Sequence, residues 1–188
     1  MTQSGRLVAA AVLALTALTC GGTTAFAQPT PGTAAPVKEL AGLLAAKASG
    51  AGPRFIAAED PTDPSRFVAA MLLPDLQLMV VSAKYTAPVL LRERVLTRKY
   101  QDAYQDLQAA SAPQGRVVIE DLLANGLASK PAKGHGPDAA TIDGKTVSFD
   151  GLWRKAKLKE EEYTAAFTAA EQHYIRLLGL LIAQAKAC

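Results

Sequence analysis

The chain has 188 residues, a formal net charge of +3 at pH 7, and only two cysteines and two histidines. A nearly neutral balance predicts no overall electrostatic footprint for nucleic acid or for an anionic membrane, and two cysteines exclude a disulfide-rich scaffold. This length fits a single domain, which has to be stabilised by the packing of apolar side chains.

The N-terminal segment has the three parts of a secretory signal. Arg6 supplies the positive charge, an apolar run extends from Leu7 to Leu18, and an Ala-Phe-Ala triplet that ends at Ala27 meets the small-residue rule of signal peptidase. The apolar run is shorter than the about 20 residues that a spanning helix needs. We therefore expect cleavage after Ala27, export to the periplasm or the extracellular space, and no transmembrane segment in the mature protein.

An alternative cleavage site precedes Cys20, which would then carry a lipid anchor. Leu18 and Thr19 make a poor lipoprotein signal, because a small residue usually stands directly before the cysteine. Cleavage after Ala27 discards Cys20 and leaves Cys188 as the cysteine of the mature protein. An odd cysteine in an oxidising compartment predicts an intermolecular bond, and hence a partly disulfide-linked homodimer.

Residues 28–36 are rich in Pro, Thr and Ala and are predicted to form a disordered tether, followed by one domain over residues 37–188. This domain opens with a predicted helix from Val37 to Ser49, where leucines recur at helical spacing. Three apolar runs of strand length follow, with Pro74-Asp75 as the turn between the second and the third: RFIAA, RFVAAMLL and LQLMVVSA.

A long central helix is predicted from Pro88 to about Ala110, since proline suits the first helical turn and apolar residues then follow one face. RVVIEDLL reads as another strand. The dipeptide Asp143-Gly144 lies between two β-prone segments and predicts a hairpin with a type I′ turn.

The last element is a predicted helix from Leu158 to about Ala187. Acidic residues crowd its start and Lys186 lies near its end, and both placements favour the helix dipole. One broad apolar face is predicted: Tyr163, Phe167, Ala170, Tyr174, Leu177, Leu178, Leu181 and Ala185. The order of elements predicts an α+β fold, in which a small antiparallel sheet is covered by the long central helix and the long C-terminal helix.

The histidines and paired carboxylates do not form a motif that assigns chemistry. His135 lies in a polar loop and His173 at the edge of the last apolar face, without the spacing of a zinc site. Glu120 and Asp121 are neighbours on a strand and point to opposite faces, so we do not expect a carboxylate pair. We assign no catalytic residue, no metal ligand and no cofactor.

A second group of acidic residues falls in a turn rich in proline. Their spacing does not match a calcium-binding loop, and side chains in such a turn are predicted to be solvated: Glu59, Asp60 and Asp63.

Basic residues around the start of the central helix are the candidates for a cofactor site: Lys84, Arg92, Arg94 and Arg98. A strand that runs into a loop and a helix start can hold an anion through backbone N–H groups. This arrangement is similar to that of flavin-binding split barrels of the pyridoxamine-phosphate-oxidase type, although the gap from Ala83 to Arg116 is longer than those folds need. A solvated helix face of mixed charge explains the same arginines.

Three hypotheses follow from the sequence. The favoured one is a non-catalytic domain of the cell envelope that binds an unidentified ligand or protein partner and no nucleic acid. The first alternative, implied by the resemblance, is a small cofactor-binding enzyme that uses the loop from Ser82 to Pro88 and the arginines after it. The second is a structural assembly protein that acts through its C-terminal helix and Cys188.

Overall fold

The computed structural model describes residues 31–47, 54–73, 77–84 and 115–187. These residues contain two helices and six strands: α1 (Pro31–Lys47), β1 (Arg54–Asp60), β2 (Asp63–Leu72), β3 (Leu78–Lys84), β4 (Val117–Asp121), β5 (Ala139–Ile142), β6 (Lys145–Ser148) and α2 (Glu160–Ala187). The predicted α+β class is confirmed. The signal segment, the turn at Pro74-Asp75, the central helix from Pro88 to Ala110, and Cys188 lie outside the described residues.

The six strands form one antiparallel sheet in which each strand pairs with its neighbour in the sequence. Val80 of β3, for example, pairs with Ala70 of β2 on one side and with Ile119 of β4 on the other. The predicted hairpin turn is confirmed, because Asp143 and Gly144 have φ angles of 52° and 78° between β5 and β6. Two positive φ angles are what a type I′ turn needs.

The central strands of the sheet are buried on both faces. In β2, Val68 and Ala70 belong to the face that packs against the two helices, whereas Phe67 and Ala69 belong to a second apolar cluster on the opposite face. All four side chains are at most 2% exposed. Burial on both sides explains why β2 and β3 read as continuous apolar runs instead of an alternating pattern.

Helix α2 covers the first face with the apolar residues that the sequence predicts. Its buried residues are Tyr163, Phe167, Ala170, Tyr174, Leu177, Leu178, Leu181 and Ala185. Assembly through this helix would therefore have to use its outward side, where Ile175 is 43% exposed.

Asp60 at the end of β1 is not solvated, in contrast to its prediction. Its side chain is 1% exposed and accepts a hydrogen bond of 2.9 Å from the guanidinium of Arg176 on α2. The Thr62 N–H and hydroxyl donate to the other carboxylate oxygen. An ion pair with a residue 116 positions later therefore encloses the carboxylate.

Helix α1 begins at Pro31, so the prediction of a disordered tether is wrong for residues 31–36. Thr33 is fully buried, and its Oγ1 accepts a hydrogen bond of 3.0 Å from the N–H of Leu127. Gly32 lies against Ile175 of α2, since a Cβ at Gly32 would be 3.2 Å from the end of that side chain. These contacts with distant parts of the chain hold the Pro-rich segment in the helix. Residues 28–30 lie outside the described part of the chain.

At Gly126, the loop after β4 approaches α1 closely. A Cβ at Gly126 would lie 2.8 Å from the backbone N and Cα of Ala34, and the φ angle is +108°. Only glycine combines that backbone conformation with such a close approach.

We expect Gly126→Ala to lower the free energy of unfolding by roughly 2–4 kcal/mol, because the new Cβ strains the backbone and pushes the loop away from α1. Gly134→Ala is the matched control, because Gly134 has a φ angle of +86° and a Cβ added there would meet no other part of the chain within 4 Å. Backbone strain alone should cost about 1 kcal/mol there. Urea denaturation followed by circular dichroism measures both variants, and equal losses would contradict the close contact with Ala34.

Candidate functional site

The buried carboxylate of Asp121, at the end of β4, joins the sheet to the following loop and to α2. One oxygen accepts the N–H of Asn125 at 3.2 Å, and the other accepts the N–H of Gly126 at 2.8 Å. The second oxygen also accepts the hydroxyl of Tyr174, at 3.1 Å. Both Asp121 and Tyr174 are fully buried, so these bonds replace the water that the two groups leave.

Asp138, just before β5, is a second buried carboxylate at the same loop. Its side chain accepts the N–H of Leu122 at 3.0 Å and the N–H of Ala128 at 2.8 Å. Asp138 therefore holds both ends of the loop from Leu122 to Ala128, and Asp121 holds its middle. Asp138 is not among the residues predicted from the sequence, because an Asp that follows a proline in a polar loop carries no local sign of burial.

Burial is the main influence on the ionisation of this cluster. It raises the pKa of Asp138 to about 6, the negative charge of Asp121 adds to the rise, and the two backbone N–H donors act against it. Burial also raises the pKa of Asp121. The pKa of Tyr174 is raised well above its ordinary value by burial and by the neighbouring Asp121, so its hydroxyl stays neutral and donates.

The geometry of the cluster is that of a brace for the backbone. Each of the four carboxylate oxygens of Asp121 and Asp138 already accepts a hydrogen bond from a backbone N–H group. A general base needs an oxygen that can reach a substrate proton. The cluster instead fixes the loop on which α1 rests.

We expect Asp138→Asn to remove a pH dependence of stability. The folded protein binds the Asp138 proton more tightly than the unfolded chain, so the contribution of this group is present below pH 3.8 and is lost as the pH rises to about 6. The free energy of unfolding of the wild type minus that of the variant should fall by about 2 kcal/mol from pH 4 to pH 7. Urea denaturation at a series of pH values measures it.

The free energies of unfolding of the two proteins are subtracted because other groups titrate in the same pH range. His173, whose pKa is lowered by burial, contributes in the opposite direction but is the same in both proteins. Parallel curves for the wild type and Asp138→Asn would contradict the raised pKa of Asp138.

A different feature lies on the surface between β6 and α2: residues 150–159, DGLWRKAKLK, which we call the basic loop. Four of the 20 Lys and Arg residues and one of the 17 Asp and Glu residues lie in it, so the rest of the chain holds 16 of each. The charge of the whole chain is thus concentrated in ten residues. The side chain of Lys130, which contacts Gly151, adds a further cation beside the loop.

The basic loop contains one helical turn with a defined end. The N–H of Leu158 donates to the carbonyl of Trp153, and the N–H of Lys157 donates to the carbonyl of Arg154, both at 3.1 Å. Lys157 has a φ angle of 56°. This combination is a Schellman motif, in which glycine usually occupies the position of Lys157.

Buried residues hold the basic loop at both of its ends. Before it, the fully buried Phe149 packs edge-on against Phe167 of α2, with 5.0 Å between the ring centroids. At its start, the N–H of Gly151 donates to the Tyr163 hydroxyl at 2.9 Å, and that hydroxyl donates to the carbonyl of Ser129 at 3.0 Å. Near its end, the half-buried Leu158 packs against the main core. Both ends of the loop are therefore anchored.

The basic loop exposes cations around an apolar residue. Leu152 is 56% exposed, more than any other large apolar side chain among the described residues. Trp153 is half-buried, and the guanidinium of Arg154 lies 4.7 Å from its ring centroid. Lys155 has a long contact of 3.9 Å with Asp150 and is 75% exposed. This stretch is not among the sites predicted from the sequence, although four cations near one tryptophan are a signal that the sequence contains.

The residues proposed from the sequence do not come together with either feature. Lys84 is exposed at the end of β3, opposite Arg66 of β2, and Arg92, Arg94 and Arg98 lie outside the described residues. His135 is exposed in a turn, as predicted. Within the described ranges, no three metal-ligating side chains lie close enough to hold an ion, and neither helix has the length and hydropathy to cross a membrane.

Comparison with protein-family models, with curated proteins and with solved structures gives no match to this chain.

Proposed function

We propose that the protein is an exported, non-catalytic domain of the cell envelope that binds a partner through the basic loop. The observation that carries this proposal is the exposure of four cations and Leu152 on a loop whose two ends are anchored in the core. A loop that is already ordered loses little conformational entropy when it binds. Positive charges in one patch also select partners of opposite charge.

The buried ionisable groups support a binding role over a catalytic one. Asp121 and Asp138 bind backbone N–H groups of the loop after β4, and Tyr163 bridges the basic loop to Ser129. These groups stabilise the framework that presents the surface.

Export is the part of the proposal that the N-terminal sequence supports. We expect the mature protein to begin at Gln28 without a lipid, because Ala27 ends the small-residue triplet that signal peptidase recognises. Intact-mass measurement of the protein recovered from outside the cytoplasm checks this. An acylated Cys20 at the N-terminus would contradict it and would make the protein a lipid-anchored one.

Cleavage after Ala27 also determines what Cys188 can do. The mature protein then has one thiol and no second cysteine within the chain to pair with, so we propose a partly disulfide-linked homodimer. Non-reducing electrophoresis of alkylated samples in the same preparation distinguishes the dimer from a free thiol.

The binding surface is tested by neutralising the basic loop in the whole protein. We expect Arg154→Gln, Lys155→Gln and Lys157→Gln together to release the protein from the sedimented envelope fraction, because the partner is held by charge. High salt should release the wild type in the same way, since it screens exposed charges. Immunoblotting of the pellet and the supernatant measures both effects.

The control variant removes the same charge elsewhere. Lys38, Lys145 and Lys186 are exposed outside the loop, and their replacement by Gln should leave the protein in the envelope fraction. Release of both triple variants would indicate an effect of overall charge. Retention of both would show that the loop is not the contact surface.

A further inference from the structure

We propose that the partner of the basic loop is the surface of an anionic phospholipid bilayer, with Leu152 entering the interface and the surrounding cations contacting lipid phosphates. This inference rests on the proposed function, because it names the partner of the same loop.

The apolar part of the contact comes from Leu152 and Trp153. Leu152 projects with 56% of its surface exposed, next to a tryptophan, the residue type that favours the boundary between water and lipid. A leucine surrounded by cations is the pattern by which peripheral proteins combine apolar insertion with attraction to charged lipid headgroups. Lysine and arginine suit the rim of such a contact, since their apolar stems can lie along the lipid while their charges reach the phosphates.

Two of the lysines occupy positions that local folding rules give to other residues. Lys157 has a left-handed backbone (φ 56°) at the end of the helical turn, where glycine is free of strain. Lys159 is the N-cap of α2: its carbonyl accepts the first helical hydrogen bond, from Tyr163, and its N–H donates to Glu162 at 2.8 Å. Ser, Thr, Asp or Asn would be preferred at an N-cap, and a cation there opposes the helix dipole. Positive charge at both positions is therefore present at a cost in local stability, which is typical of functional sites.

The acidic residues near the loop either accept hydrogen bonds from its backbone or lie after it in the chain. Asp150 accepts the N–H of Leu152 at 2.7 Å, and Glu162 turns back to the N–H of Lys159. Glu160 and Glu161 lie in the exposed first turn of α2 and mark the boundary of the cationic surface. This arrangement leaves Arg154, Lys157 and the neighbouring Lys130 exposed.

The same features favour lipid over single-stranded nucleic acid. Nucleic-acid binding through a basic loop uses free aromatic faces on which bases stack. The Trp153 ring is half-buried, and the Arg154 guanidinium lies over it at 4.7 Å. Leu152 offers no stacking face, whereas it gains from contact with hydrocarbon.

Trp153 is the only tryptophan of the chain, so its fluorescence reports on this loop without background. The protein in its exported form is titrated with vesicles of phosphatidylcholine, and with vesicles of phosphatidylcholine mixed with phosphatidylglycerol. We expect a blue shift of the emission with the anionic vesicles alone, and its loss in high salt. Flotation of the same mixtures gives the partition coefficient.

Three variants of the exported form separate the apolar contribution to membrane binding from the contribution of charge. Leu152→Ser should weaken the partition about fivefold by removing the exposed apolar surface. Lys157→Gly should weaken it about fivefold by removing one charge, while its resistance to urea stays equal or rises because glycine suits the positive φ angle. Lys145→Gln, which replaces an exposed lysine at the start of β6, should leave the partition unchanged.

Equal binding to neutral and anionic vesicles, or unchanged partition of Lys157→Gly, would overturn the proposal. A blue shift with a single-stranded oligonucleotide in place of the vesicles would do the same and would indicate nucleic acid. Failure with vesicles while the loop variant is still released from the envelope fraction removes the lipid partner and leaves the proposed function. If the protein does not bind the vesicles and the loop variant is not released from the envelope fraction, both the lipid partner and the proposed function are contradicted.

Discussion

The buried carboxylate of Asp121 is the constraint on which the rest of the helix–sheet junction depends. A carboxylate without water is stable only when donors surround it, and its donors come from the loop after β4 and from Tyr174 of α2. The loop conformation that supplies the N–H of Gly126 also lets Ala34 approach closely. That conformation in turn places the Leu127 N–H against Thr33. One buried charge thus aligns β4, α1 and α2.

Local rules predict those parts of the fold whose causes are local. The face of α2 is correct at all eight positions, because a helix pattern repeats over many residues and burial follows its period. The Asp143-Gly144 turn is correct because two residues determine its geometry. Residues 31–36 are predicted wrongly, since the bond from Leu127 to Thr33 spans 94 positions. Asp60 fails for the same reason, because its partner Arg176 lies 116 positions away.

The Asp121–Asp138 cluster and the basic loop also differ in how far the sequence predicts them. Asp138 could not be found from the sequence, because only the three-dimensional fold brings Leu122 and Ala128 to its carboxylate. The basic loop consists of ten consecutive residues and can be seen in the sequence. The net charge of the chain does not reveal where this charge lies, because outside the loop 16 basic residues balance 16 acidic ones. Interactions with a charged surface respond to local potential within about a Debye length, roughly 8–10 Å. The distribution of charge along the chain is therefore more informative than its sum.

The position of α2 in the chain has a consequence for how the molecule is made. All six strands pair in sequence order, so hairpins can form as the ribosome releases them. Their apolar face, however, is closed by Tyr174, Leu177 and Leu181 of α2, which are synthesised after every strand. Until α2 has been synthesised, this face of the sheet is exposed, and exposed apolar surface promotes aggregation. Closure of this face therefore waits until α2 has been synthesised, and a chaperone that holds the nascent chain would have that interval in which to bind it.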